Sequence, residues 1–142
     1  MKTIIAMAAA AVLFAFAPST CLAVWDVLTV TPERAKELGM EFRTADGGKN
    51  QVKVELEIPL AGDLGRVSEV ILKVGQGDNS PVTVPLKEDR SKPGRVVVHF
   101  WANRATVELI SLHVSVPGEP GTVGGAMYDL RLKDFVVVKK ER

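Results

Sequence analysis

The sequence predicts an all-β fold, an antiparallel β-sandwich of two sheets and about eight strands with one short helix near the start of the mature chain. Three observations predict it. Short runs alternate apolar with polar residues, as strands with one buried and one wet face do. Gly, Pro, Asp and Asn clusters separate those runs. Only one stretch carries helix signals, so the regular strand–helix alternation of a parallel α/β sheet is missing.

The first 23 residues read as a secretory leader. Lys2 gives a basic start, Ile4–Ala17 is an uncharged apolar run, and Cys21-Leu22-Ala23 places small residues at the positions read by signal peptidase. The run is short of the roughly 20 residues that span a bilayer. Cleavage after Ala23 is expected, leaving residues 24–142 as one β-sandwich domain in the periplasm or outside the cell. A competing reading makes Cys21 the lipidated first residue of a membrane-anchored chain. Pro18-Ser19-Thr20 before it fits that signal poorly.

Cys21 is the only cysteine, so the mature chain must be held by its core without disulfides. The full chain has 18 basic and 17 acidic residues; the leader removes only Lys2 from these, leaving 17 of each. A balanced charge argues against nucleic acid and against attraction to an anionic membrane.

Val24–Val30 is the first expected strand. Thr31 then caps a helix over 32–38: Pro32 suits its first position, Glu33 complements its positive end, and Gly39 suits a left-handed stop. Met40–Ala45 reads as a strand. Gln51–Ile58 is the clearest one, with Val52, Val54, Leu56 and Ile58 inward and Lys53, Glu55 and Glu57 outward. Residues 60–67 form a loop, and Ser68–Val74 a further strand. Val82–Lys87 contains Pro85 and is expected at a sheet edge, because proline cannot donate to a ladder. Pro93-Gly94 suits a type II turn, so 82–88 is expected to pair with 95–101 as a hairpin. Asn103 is placed to start one helical turn. Ile110, Leu112, Val114 and Val116 face inward, and Ser111, His113 and Ser115 outward. Residues 117–125 form a Gly/Pro loop, 126–138 a closing strand, and 139–142 a tail. Immunoglobulin-like and C2-like sandwiches are the nearest fold-level analogies. The cysteine pair and strand tryptophan of true immunoglobulin domains are missing.

The chemistry-bearing residues give little. Ser111 and His113 sit two apart on one strand, about 6.5–7 Å from each other, whereas a nucleophile and its base need about 3 Å. Glu55 and Glu57 have the spacing of some glycosidase carboxylates, but they alternate with a core face beside Lys53 and read as a solvated surface. His99 and His113 could approach only if their strands pair, and a metal would need a third ligand. No spaced Asp/Asn ladder suggests calcium, and the glycines of 121–125 lack a phosphate-loop lysine. No cofactor is expected.

The unusual feature is the strand 95–101. Val96, Val98 and Phe100 form one face, but Val97, His99 and Trp101 make the other largely apolar too. A sandwich strand should be wet on that side. The expected cover is the helix 32–38 or the loop 60–67. If left open, Val97, His99 and Trp101 form a binding face for another protein or a cell-envelope component. A carbohydrate platform using Trp101 with Trp25 or Tyr128 is the second reading. The functional expectation is a non-enzymatic binding or structural accessory module; an enzyme comes third.

Overall fold

Eight strands build two sheets around a shared apolar core in the computed structural model, which describes residues 24–136. Residues 1–23, with the expected leader and Cys21, and residues 137–142, with the end of the expected closing strand and the expected tail, lie outside the described residues. The strands are β1 (Val24–Thr29), β2 (Glu41–Asp46), β3 (Gln51–Pro59), β4 (Glu69–Gln76), β5 (Asn79–Pro85), β6 (Arg95–Asn103), β7 (Ile110–Pro117) and β8 (Gly124–Arg131). The five-stranded sheet runs β1-β8-β7-β4-β5 and the three-stranded sheet β2-β3-β6. The arrangement is sandwich-like, and neither sheet closes on itself.

The alternation read from the sequence sets the inward faces. Val54, Leu56 and Ile58 of β3, Val96 and Val98 of β6, Val70 of β4, Leu112 and Val114 of β7 and Leu130 of β8 are fully buried. Helix α1 (Pro32–Glu37) begins as its signals require: the Thr31 hydroxyl accepts from the Arg34 amide at 3.2 Å, and Ala35 enters the core. Gly39 follows with φ of +79°, a conformation that favours glycine. Asn103 opens the 3₁₀ turn Arg104–Leu109 by accepting from the Ala105 amide at 2.9 Å.

Three expectations are corrected. The sheet is not wholly antiparallel, because β1 pairs with β8 in parallel. The hairpin of 82–88 with 95–101 does not form: β5 pairs with β4, and β6 pairs with β3. The turn at Gly94 is present (φ +72°), but residues 86–94 carry the chain from one sheet to the other. Strand β6 is consequently an edge of the small sheet, and β3 is its centre. Finally, the closing strand ends at Arg131, and Leu132–Phe135 coils into a helical turn, α2, that keeps Leu132 buried and sets Phe135 4.8 Å from Phe42.

The five-stranded sheet is two strands wider than its partner. Its buried residues come from β4, β7 and β8, whereas β5 is exposed along its whole length and Trp25–Thr29 of β1 are exposed too. Val82 and Val84 keep the predicted alternation yet stay 43% and 44% exposed, because no strand lies beneath them. Phe100 is only 7% exposed and points from the small sheet into the core. Phe100→Ala should therefore cost about 3–5 kcal/mol in urea unfolding; a loss under about 1 kcal/mol would place the ring outside the core.

Candidate functional site

The outward side chains of the three-stranded sheet fall into rows fixed by its register. Glu41, Glu57 and Val97 are opposed, as are Arg43, Glu55 and His99, and then Ala45, Lys53 and Trp101. The Val97, His99, Trp101 column is therefore one side of a densely charged surface. Helix α1 does not cover it. Ala35 of α1 goes into the core, and Pro32 and Lys36 border a cavity of about 440 Å³ with Met40, Phe42 and Phe135. Nor does the loop 60–67, which sends Leu64 and Val67 into the core.

Each residue of that column has a different fate. Val97 is buried, and its backbone exchanges two hydrogen bonds, of 2.8 and 3.0 Å, with Asp89. His99 is exposed and borders a hollow with Lys87, Glu88, Asp89 and Arg90. Trp101 is 56% exposed. Its ring lies 6.0 Å from the Lys53 ammonium, at the outer limit of a cation–π contact. The ring also lies against Gly47, where any Cβ would collide with it. A glycine in the β2–β3 turn and a lysine one strand away thus set the position of an open indole.

Glu57, read from the sequence as solvated, is the buried charge of this face; its side chain is 4% exposed. Arg95 of β6 donates to its Oε1 at 3.0 Å, Arg43 of β2 donates to its Oε2 at 3.1 Å, and the Lys92 ammonium lies 3.9 Å away. Arg43 also donates to Glu55 at 2.7 Å and pairs with Glu41. The Arg95 hydrogen bond, aided by Arg43, holds the Glu57 carboxyl below the usual carboxylate range against the opposing effect of burial. Both arginines lie far from Glu57 in sequence, so strand periodicity gave no sign of them.

The five-stranded sheet carries a second candidate. His113 of β7 faces Asp129 of β8, with Nε2 3.3 Å from Oδ1 and each side chain under one-fifth exposed. Asp129 Oδ1 is buried without a hydrogen-bond partner among the described residues. The pair lines an open cleft of about 520 Å³ with Val27, Lys73, Leu109 and Met127. Ser111 also lines it, opposite Arg131 and Lys73 in the register and two residues along the strand from His113. The cleft thus holds an imidazole close to a carboxylate, with the serine about 7 Å from the imidazole's residue along the strand. The expected isolation of Ser111 from His113 follows from the strand; the Asp129 partner was invisible without the pairing. His99 and His113 lie in different sheets, so their strands do not bring the rings together.

The three aromatics considered for a sugar platform are also separated. Trp101 is on the small sheet, Trp25 on the outer edge strand of the large one, and Tyr128 is 5% exposed in the core. No family model, no curated protein and no solved structure matches the chain.

The lowered Glu57 ionisation fixes a pH dependence. A depressed carboxyl stabilises the fold above the ordinary glutamate range and ceases to do so as pH falls through its lowered value. Glu57→Gln should melt below wild type at about pH 7, and the gap should narrow as pH falls from there through the ordinary glutamate range and below. Thermal melts across that range check it; a gap that persists in acid would show that the lattice does not act through ionised Glu57.

Proposed function

We propose that this chain is a non-enzymatic exported module that binds another protein, or a protein component of the cell envelope, through the outer face of its three-stranded sheet. The observation that carries the reading is Trp101, a large apolar side chain 56% exposed yet set in place by Gly47 and Lys53. An indole already fixed in position loses little freedom on binding. Tryptophan and arginine are over-represented among residues that dominate interface energies, and the Arg43–Glu55–Glu57 lattice supplies a polar rim. The leader-like residues 1–23 support export.

The strand order favours an immunoglobulin-like sandwich over the C2-like analogy. Strands β3 and β6 are neighbours in one sheet, β4, β7 and β8 in the other, matching the B–E and C–F–G neighbours of that fold, and β1 lies outside β8. Immunoglobulin-like domains serve widely as binding modules; this part of the reading rests on fold analogy.

The test is capture from the exported fraction with purified protein, followed by affinity measurement on the captured protein. Trp101→Ala should weaken binding by about tenfold or more, on the scale of an interface anchor. Met127→Glu, in the other sheet's cleft, should leave it unchanged. Capture that ignores Trp101 but is lost in Met127→Glu would move the site to the cleft. The exposed indole also suits stacking on a sugar ring, so a glycan array is the second arm. Trp101-dependent glycan binding would replace the protein reading with the carbohydrate one.

A further inference from the structure

The four sheet edges are not equally protected. An open edge presents unpaired amides and carbonyls to any other strand, and natural sheets blunt it with prolines, charges or a covering segment. Leu86 donates to Val70 of β4, so the even-numbered residues of β5 face β4 and Pro81, Thr83 and Pro85 face out. Two of those three outward positions lack an N–H. Strand β2 carries Glu41, Arg43 and Asp46, and Phe135 packs on Phe42. Strand β6 is bridged by Asp89.

Strand β1 is the least protected of the four. Val30 donates to Asp129 of β8, so the alternating backbone turns both the N–H and the C=O of Trp25, Val27 and Thr29 away from β8. None is proline, and Asp26 is the strand's single charge. Trp25, Val27 and Leu28 are 39%, 63% and 45% exposed. Nothing among the described residues covers this edge.

We propose that β1 pairs antiparallel with β1 of a second copy of this chain, joining two five-stranded sheets into one about a two-fold axis. Three unpaired donors alternating with three unpaired acceptors require an extended backbone as occupant. The edge that another copy has open is this same one, which makes the contact self-complementary. The register centred on Val27 uses all three outward residues, pairing Val27 with Val27 and Trp25 with Thr29. It also sets Asp26 opposite Leu28, whereas a shift of one residue towards the strand start would oppose the two Asp26 carboxylates. A formal charge of +1 leaves little self-repulsion. This inference is independent of the Trp101 reading.

Sedimentation equilibrium of the purified protein should show a monomer–dimer equilibrium at concentrations up to about 100 µM. Thr29→Pro removes an outward amide without touching the β1–β8 ladder and should weaken the dimer by about tenfold or more. Thr83→Pro on β5 and Trp101→Ala should leave it unchanged. Circular dichroism shows that each variant is folded. In a Cys21→Ser background, mixing Asp26→Cys with Leu28→Cys protein should give a disulfide-linked heterodimer, since that pair's Cα atoms would lie about 4.5 Å apart. Neither variant alone should cross-link as well. A protein that stays monomeric, a dimer indifferent to Thr29→Pro, or no preference for the mixed cross-link would each overturn the proposal. Loss of partner capture on Trp101→Ala with the dimer intact would separate the two sites.

Discussion

A sheet of five strands lies over a sheet of three, and this mismatch in width governs most of what is exposed. Strands are spaced about 4.8 Å apart, so the smaller sheet can cover only the middle of the larger one. The buried side chains come from β4, β7 and β8 above and from β3 and β6 below. Strands β1 and β5 overhang, and their inward side chains meet water: Leu28 on one side, Val82 and Val84 on the other. The two overhangs are managed differently. Prolines blunt β5, while β1 keeps its backbone groups and apolar side chains open.

The small sheet meets the complementary difficulty. Three strands offer a narrow inward face, and a slip of one residue would turn β3's apolar set to solvent and Glu57 into the core. The ion lattice opposes that slip. Arg43 comes from β2, Glu57 from β3 and Arg95 from β6, so one carboxylate ties all three strands in a single register. A carboxylate this buried would be costly if left alone; with two guanidiniums and a nearby ammonium its charge is matched. The lattice also serves the proposed binding face, since it fixes the strands that hold Trp101 and Lys53 side by side.

What was legible in the sequence was local. The β3 alternation, the Thr31 cap, the Gly39 stop and the Asn103 turn each depend on neighbouring residues, and each formed where the pattern placed it. What failed depended on partners far along the chain. The Pro93-Gly94 turn looked like a hairpin because a turn between two apolar runs usually is one. Here the segment before it crosses between sheets and pairs with β6 through the single bridge at Asp89. The parallel pairing of β1 with β8 joins the two ends of the described chain, and no periodicity encodes it. The apolar look of Val97, His99 and Trp101 was an incomplete description for a related reason. A column read within one strand omits what stands beside it, and here that neighbour is the charged column of β3.

The same distinction bears on the His113–Asp129 pair. Its two residues meet across strands, and such a pair is the orienting half of many catalytic sites. Along β7, however, the neighbours of His113 on the same face are Ser111 and Ser115, the latter buried rather than wet as expected, each about 7 Å away by strand geometry. Across the sheet its neighbours are Asp129 and Ile71. A regular ladder thus holds every protein hydroxyl on its own strand at a distance where no proton passes directly to the imidazole. Regular strands place side chains on a fixed grid of about 5 by 7 Å, which suits presenting a surface better than converging on one atom. The candidate features of this molecule, an indole on one face and an open edge on another sheet, are of the presenting kind.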